Sequence, residues 1–223
     1  MGQPAACLFD LDGLLLDTEP LHAEAWQQAA SHFGRPLLPQ ELMQLRGRRR
    51  HDCSDKVSRW IAEAGGPELT REQLLAVRQP IAEALLPTAA AMPGAQQLVE
   101  RCAQLSIPMA LATSSARQAV ALKARPHPWL ERIEVRVHGD DPQLKEGKPA
   151  PDVFLLAAER LGVASEACWA FEDSPAGAAA AVAAGSRVHV LAPETLAPEE
   201  RTLLYPGVHR WLESLEEMLE ELR

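Results

Sequence analysis

Residues 9–19 read FDLDGLLLDTE and directly follow the apolar run AACLF at residues 5–9. A short apolar run that ends in turn-forming residues is typical of a buried strand. Asp10 and Asp12 come at its carboxyl end, where a buried carboxylate is costly unless a cation or a hydrogen-bond donor pairs with it. Gly13 lets the backbone turn there, and open α/β sheets bind their ligands at the carboxyl ends of their strands. This stretch therefore predicts a catalytic Mg²⁺ site with a carboxylate nucleophile.

Composition restricts the class of protein. The 223 residues are 47% hydrophobic, which is enough for a full core in one large domain or slightly more. A net charge of −9 argues against a nucleic-acid partner. We see no apolar run of membrane-spanning length and no signal peptide, so we expect a cytoplasmic protein without a membrane partner. The four cysteines lack a CxxC pair and are expected to be reduced structural thiols. We expect a monomer or a weak dimer.

Apolar spacing divides the chain into two kinds of segment. Helical spacing covers residues 23–33, 52–64 and 70–86, the last of which begins with a capping-box pattern at Thr70. Strands are then predicted at 108–112, 133–137, 168–171 and 187–191, and helices at 94–105, 115–125, 151–161, 175–184 and 212–222. This alternation predicts an α/β fold with a doubly wound parallel sheet. The helical block is then an insertion, which gives a core of residues 1–16 and 89–223 and an α-helical cap domain of residues 17–88.

Three hydroxyl side chains follow the predicted strand at 108–112. Thr113, Ser114 and Ser115 precede a predicted helix, where a hydroxyl commonly serves as an N-cap. A helix amino terminus with hydroxyls and free backbone N–H groups can also hold a phosphoryl group. Both interpretations can be true of the same residues.

Lys148 is the cation expected at the site. A lysine beside prolines is usually a solvated loop charge, but this one directly precedes a helix that begins with proline. Directed into the cleft, it would neutralise Asp10 and the transferred phosphoryl group. Lys145 is the weaker candidate for this role.

Two further carboxylates follow the predicted strand at 168–171. Glu172 and Asp173 precede a helix that starts at Pro175, and an acidic N-cap is one interpretation of them. Beside Asp10 and Asp12, however, they would repel unless a cation lay among them, and Mg²⁺ prefers such hard oxygen ligands. We expect Asp173 to bind the metal directly, with Glu172 as a second ligand or as a partner of a metal-bound water.

The order of these four clusters resembles that of the haloacid dehalogenase-like (HAD) hydrolase superfamily, over essentially the whole chain. The resemblance implies a Rossmann-like core, an inserted helical cap, obligatory Mg²⁺ and phosphoryl transfer through Asp10 as an aspartyl-phosphate. It implies metal ligation by Asp10, Asp173, Glu172 and the backbone carbonyl of Asp12. The side chain of Asp12 would serve as general acid and then as general base. A second aspartate is typical of the phosphatases and phosphomutases of the superfamily, not of its dehalogenases.

Other stretches are similar to particular branches. Residues 17–22, DTEPLH, resemble the β-phosphoglucomutase and sugar-phosphatase branch, which implies that His22 lies near the general acid. The same branch implies a phosphate-binding arginine in the cap, here Arg50 or a neighbour in the basic run 46–50. His22 could instead be a hinge residue, and the basic run could be a solvated surface. The GDDP run at 139–142 is similar to pseudouridine-5′-phosphatase and related glycerol-phosphate phosphatases.

The sequence thus predicts a Mg²⁺-dependent phosphatase that acts on a small sugar, polyol or nucleotide phosphate. One alternative is a phosphomutase, although residues 77–80, VRQP, lack the substrate motif of the mutase cap. The other is a non-catalytic phosphate-binding protein that keeps the fold.

Overall fold

Short apolar segments pair side by side in the computed structural model, which describes residues 2–191 and 196–222. They form a six-stranded parallel sheet in the order β3-β2-β1-β4-β5-β6. The strands are β1 Ala6–Phe9, β2 Met109–Ala112, β3 Val135–Val137, β4 Cys168–Glu172, β5 Arg187–Leu191 and β6 Arg210–Leu212. Strands β1, β2 and β4 are buried along their whole length, as continuous apolar runs are when helices cover both faces of a parallel sheet. The predicted fold class is confirmed.

Some helices cover the sheet, and the first four after β1 form a separate helical segment. In the described residues the helices are α1 Glu19–His32, α2 Pro39–Leu45, α3 Arg50–Glu63, α4 Arg71–Leu85, α5 Ala95–Gln104, α6 Arg117–Ala124, α7 Asp152–Leu161, α8 Pro175–Ala183, α9 Pro198–Leu204 and α10 Glu217–Glu221. Alternate side chains of β1 pack on opposite faces of the sheet, with Phe9 in one core cluster and Leu8 in the other.

Helices α1 to α4 have a core of their own. Its buried members include Trp26, Ala29, Leu45, Val57, Ile61 and Leu74. Helix α4 begins with the predicted capping box: the backbone N–H of Gln73 donates to the Thr70 hydroxyl at 3.3 Å, and the backbone N–H of Thr70 donates to the Gln73 side chain at 2.9 Å. The four helices therefore pack mainly on one another.

The strand order places three chain segments at one point of the sheet edge. Strand β1 lies between β2 and β4, and Phe9 is level with Leu111 on one side and Phe171 on the other. The residues that follow these positions must therefore emerge together. They are Asp10, the hydroxyl run that begins at Thr113, and Glu172.

Several elements differ from the prediction. The helix predicted at 212–222 is wrong at its start, because Leu212 pairs with Leu191 at the edge of the sheet and α10 is only five residues long. Sheet pairing decides such a short segment more strongly than its local apolar spacing does. Helices α2 and α9 and strand β6 were not predicted. Helix α6 begins at Arg117, two residues later than expected.

No helix within the described residues is both long and apolar enough to span a membrane. All four cysteines are buried and free, as predicted.

Candidate active site

Asp10 and Lys148 form a buried ion pair directly after β1. The Lys148 ammonium donates to Asp10 Oδ1 and to Glu172 Oε1, each at 2.5 Å, and Lys148 is only 2% exposed. Burial raises the pKa of Asp10 to about 7, although Lys148 opposes this rise. Burial alone would lower the pKa of Lys148, but Asp10 and Glu172 hold it above its usual value. Lys148, the side-chain cation predicted for the site, therefore lies between the predicted carboxylates Asp10 and Glu172.

Glu172 and Asp173 differ in how their oxygens are used. Glu172 Oε2 accepts hydrogen bonds from the backbone N–H groups of Asp173 and Ser174 at 3.0 and 3.2 Å and from the Ser174 hydroxyl at 3.1 Å. Both Glu172 oxygens are therefore occupied. Asp173 Oδ2 accepts from Arg46 Nη2 at 2.6 Å. Its Oδ1 is buried and has no hydrogen-bond partner among the described residues.

The carboxylates of this cluster fit a divalent metal ion. Oxygens of Asp10, Glu172 and Asp173 all lie within 4.8 Å of one another. Burial raises the pKa of Asp173 well above its usual value, and the neighbouring carboxylates add to the rise. A buried carboxylate oxygen without a donor is costly, and a cation among such oxygens removes both that cost and their mutual repulsion. The donor set, all hard oxygens, is therefore suited to a hard cation.

Asp12 has hydrogen-bond donors on both of its oxygens. Lys123 Nζ lies 2.5 and 2.6 Å from the two oxygens, and the Ser115 hydroxyl donates to Oδ2 at 2.7 Å. The Thr18 hydroxyl donates to Oδ1 at 2.5 Å, and His22 Nε2 lies 3.2 Å from the same atom. Burial would raise the pKa of Asp12, but Lys123 and His22 together hold it well below its usual value. Asp12 is thus a carboxylate in this arrangement.

His22 connects Asp12 with a buried arginine of α4. Arg78 Nη2 lies 2.8 Å from His22 Nδ1. Because an arginine can only donate, Nδ1 must be the acceptor, and the ring proton is on Nε2, which faces Asp12. Burial lowers the pKa of His22 below its usual value, which agrees with a neutral ring. Arg78 is 5% exposed and lies over the Trp26 ring, 4.7 Å from its centroid.

The three hydroxyl side chains after β2 have different partners. The Ser114 hydroxyl donates to the backbone carbonyl of Gly47 at 2.9 Å, and the Ser115 hydroxyl is bound to Asp12. Thr113 is fully buried, and its oxygen accepts from the backbone N–H of Ser115 at 3.1 Å. The N-cap position of α6 is Ala116, and the backbone N–H of Arg117 donates to Asp140 Oδ1 at 2.9 Å, so the N-cap interpretation is wrong for all three hydroxyl residues. Ser114 and Ser115 line the cavity described below, and Thr113 does not.

The loop between α2 and α3 contacts the core directly. Gly47 has a φ of +69°, and a Cβ atom there would lie 2.0 Å from the Ser174 hydroxyl oxygen. Only glycine therefore allows this approach. Beside it, Arg46 pairs with Asp173 and, at 3.1 Å, with Glu19. Burial raises the pKa of Glu19 to about 7, although Arg46 opposes the rise.

A cavity of about 780 Å³ lies between the helical segment and the core. Its lining includes both aspartates of the motif together with Trp26, Leu42, Met43, Arg46, Arg50, Arg78, Ser114 and Leu122. Arg50 Nη1 donates to Gln79 Oε1 at 2.8 Å, and its buried Nε has no partner within the part of the chain that the structure describes. The basic run 46–50 is therefore not simply a solvated surface.

Sequence reasoning missed Lys123 and did not single out Arg46 within the basic run. Lys123 occupies the core side of α6, three residues after the buried Val120, and a lysine at such an apolar position was the available signal. No local signal indicates the partner of Arg46.

A parallel sheet whose central strand presents two aspartates, beside a buried lysine and an acidic cluster, is the arrangement of the HAD-like hydrolases. The family model for haloacid dehalogenase-like hydrolases matches residues 4–185, and the chain belongs to this family.

Individual relatives agree with this membership. The chain is 35% identical over 203 residues to a probable pseudouridine-5′-phosphatase of Drosophila melanogaster. The alignment covers 88% of this chain and 84% of that protein. The chain is also 35% identical over 192 residues to (DL)-glycerol-3-phosphatase 2 of Arabidopsis thaliana, with 84% and 78% covered. The crystal structure of CbbY from Rhodobacter sphaeroides in complex with phosphate superimposes with a TM-score of 0.80 at 28% identity, over 97% and 96% of the two chains. The resemblance seen in the sequence is confirmed, and the names are consistent with a phosphoric monoester hydrolase.

Proposed function

We propose that this protein is a Mg²⁺-dependent phosphatase that hydrolyses a small phosphate monoester through an aspartyl-phosphate at Asp10. The observation that carries the proposal is the buried contact of Asp10 with Lys148, beside two further carboxylates that together with Asp10 fit a metal ion. Relatives named pseudouridine-5′-phosphatase and glycerol-3-phosphatase support a sugar, polyol or nucleotide phosphate as substrate.

Asp10 is the nucleophile of the proposed reaction. Its carboxylate oxygen bonds to phosphorus as the ester bond to the substrate alcohol breaks. Asp12 is a carboxylate in the free site, so this role requires that it carry a proton when the substrate is bound. It gives that proton to the departing alcohol oxygen and later takes one from the water that releases phosphate. Lys148, which is held against Asp10, offsets the negative charge that approaches with the phosphate.

The metal ligands are proposed to be Asp10, Asp173 and the backbone carbonyl of Asp12. Asp173 Oδ1 is the buried oxygen without a donor, and it is therefore the strongest candidate for direct ligation. Glu172 already receives four hydrogen bonds, so we assign it to holding a metal-bound water and Lys148. When bound, Mg²⁺ would neutralise phosphoryl oxygens and help to orient the ester.

Substrate contacts are assigned to residues of both parts of the chain. We propose that Ser114 and Ser115 face the phosphoryl oxygens. Thr113 would stabilise their loop through its hydrogen bond from the backbone N–H of Ser115. Arg50, with its unpartnered Nε on the cavity wall, would bind a polar or anionic group of the substrate. His22 would position Asp12 through the contact already described.

We propose that residues 17–88 form a cap over a core of residues 1–16 and 89–223. The cavity between the two parts has the size of a small-metabolite site, and closure would exclude bulk water from the phosphoenzyme. A cytoplasmic location, a monomer or weak dimer, and the absence of nucleic-acid and membrane partners stay predictions.

Neither alternative gains support from the structure. A phosphomutase would return the phosphoryl group to a second substrate hydroxyl and would need a sugar bisphosphate to prime it. A binding protein would hold phosphate without turnover.

The test is hydrolysis of p-nitrophenyl phosphate and of a panel of sugar, polyol and nucleoside phosphates, with Mg²⁺ and with EDTA. We expect turnover that requires Mg²⁺ and is lost in Asp10→Asn, whereas Asp17→Asn, a change at an exposed carboxylate nearby, keeps it. Hydrolysis that survives in Asp10→Asn would contradict the proposal. Phosphate binding without hydrolysis of any ester would favour the binding protein.

A further inference from the structure

Two of the four lysines in this chain are buried, and each contacts one aspartate of the DxD motif. Lys148 holds Asp10, and Lys123 holds Asp12. Lys56 and Lys145 are the remaining two, and neither is buried. A buried ammonium costs several kcal/mol unless its protons are bound, so two such lysines at adjacent carboxylates indicate a specific role for each.

Lys123 is fully enclosed and fully bonded. Its relative exposure is 0%, and it is not among the residues that line the cavity. Its Nζ has three acceptors: the two Asp12 oxygens at 2.5 and 2.6 Å and the Ser115 hydroxyl at 2.8 Å. An ammonium has three protons, so none is left for a substrate. Lys123 therefore acts on Asp12 and not on the ligand.

The contact with both oxygens fixes the orientation of the Asp12 carboxylate. Thr18 and His22 contact only Oδ1, and Ser115 contacts only Oδ2. A rotation of the Asp12 side chain would break both contacts with the Lys123 ammonium. It would leave a buried carboxylate and a buried ammonium without their partners, which is costly. Among the residues that the structure describes, only Lys123 contacts both oxygens of this carboxylate.

We propose that Lys123 is a positioning residue that keeps the acid/base carboxylate of Asp12 fixed at the phosphorylated Asp10 and thereby commits the site to hydrolysis. This inference rests on the proposed function and explains why water, and not a second sugar hydroxyl, receives the phosphoryl group.

The step concerned is the breakdown of the phosphoenzyme. The oxygen of a water molecule bonds to phosphorus while the bond between phosphorus and the Asp10 oxygen breaks. Asp12 takes one proton from this water, the Asp10 carboxylate is restored, and inorganic phosphate leaves. Asp12 keeps this proton for the departing alcohol of the next turnover, or releases it to solvent when the leaving group needs no proton. A base that is always in position makes this step fast, whereas a mutase needs a phosphoenzyme that survives until a second hydroxyl replaces water.

Lys123→Met tests the proposal because it keeps a long apolar side chain and removes only the charged group. The probe is p-nitrophenyl phosphate, whose leaving group is stable as an anion and needs no proton from Asp12. Formation of the phosphoenzyme should then be unaffected, and only its hydrolysis should slow. In a stopped-flow experiment with Mg²⁺ we expect a burst of one p-nitrophenol per active site, followed by turnover about 100-fold slower than in the wild type.

Steady-state kinetics separate this role from a structural one. When only the second step slows, kcat and KM fall together and kcat/KM stays unchanged, whereas a distorted site lowers kcat/KM. We expect Lys123→Gln to show the same pattern as Lys123→Met. Lys145→Met, which removes an exposed lysine, should behave as the wild type. Unchanged kinetics in both Lys123 variants, or a lower kcat/KM without a burst, would overturn the proposal.

A structure of the wild-type enzyme with trifluoroberyllate on Asp10, which mimics the phosphoenzyme, tests the same claim without a substitution. We expect both Asp12 oxygens to stay within hydrogen-bond distance of Lys123. An Asp12 side chain that has turned away would overturn the inference even if the Lys123 variants do not fold. Turnover that persists in Asp10→Asn would instead refute the proposed function itself.

Discussion

His189 should make the protein less stable in mild acid. It lies on β5 with 1% of its surface exposed, stacked on Phe171 at 5.1 Å and 5.0 Å from the Trp169 ring. Among the described residues, neither ring nitrogen has a hydrogen-bond partner. Burial lowers the pKa of His189 from its usual 6.5 to about 3, and the nearby His209 adds to the shift. The folded protein therefore keeps this ring neutral at pH values where the unfolded chain protonates it.

The sign and size of the effect follow from proton binding. Above about pH 6.5 neither state protonates His189, so the residue adds no pH dependence. Between about pH 6.5 and 3 only the unfolded chain binds the proton, and the free energy of unfolding falls by about 1.4 kcal/mol per pH unit. From pH 8 to pH 5 this residue alone should therefore lower the free energy of unfolding by about 2 kcal/mol.

Urea unfolding at pH 8 and pH 5, followed by circular dichroism, measures this difference. The wild type should lose about 2 kcal/mol more than His189→Leu between the two pH values. His32→Leu, a change at an exposed histidine of α1, should keep the pH dependence of the wild type. If the change in the free energy of unfolding between pH 8 and pH 5 differs by less than about 0.5 kcal/mol between His189→Leu and the wild type, the buried ring does not cause the loss of stability in acid.

Three substitutions at the site give further tests. Lys148→Met leaves two buried carboxylates without their cation and should lower the free energy of unfolding by about 3 kcal/mol in urea titrations without Mg²⁺; unchanged stability would contradict the buried pair. Gly47→Val places a side chain against Ser174, so kcat/KM should fall about 100-fold, and a value near that of the wild type would show that this contact is not needed. Arg78→Met removes the donor that sets the ring proton of His22 and should lower kcat about 10-fold with KM little changed. A rise in KM of about 10-fold with kcat unchanged would instead assign Arg78 to substrate binding.

The central part of the fold could be predicted because it depends on local patterns. A buried strand followed by carboxylates is recognisable within a dozen residues, and the parallel arrangement of the strands then brings their ends together. Asp10 and Glu172 meet for this reason, and Lys148 joins them from the loop that precedes α7. The capping box at Thr70 was likewise visible from residues three apart.

The remaining contacts depend on long-range packing. Lys123 and Asp12 are 111 residues apart, and Arg46 and Asp173 are 127 apart. A sequence pattern shows a lysine on an apolar helix face but not which carboxylate neutralises it. Strand β6 was missed for a related reason, because three residues carry little periodic signal and their pairing with β5 decides their conformation.

The most direct measurement of the proposed chemistry is the site of phosphorylation during turnover. The enzyme is mixed with p-nitrophenyl phosphate and Mg²⁺, quenched in acid within milliseconds and mapped by peptide mass spectrometry at low pH, in the wild type and in Asp12→Asn. We expect a phosphoryl group on Asp10 that accumulates in Asp12→Asn, because that variant lacks the base for the second step. A phosphoryl group on another residue, or turnover that persists in Asp10→Asn without any phosphoenzyme, would contradict nucleophilic attack by Asp10.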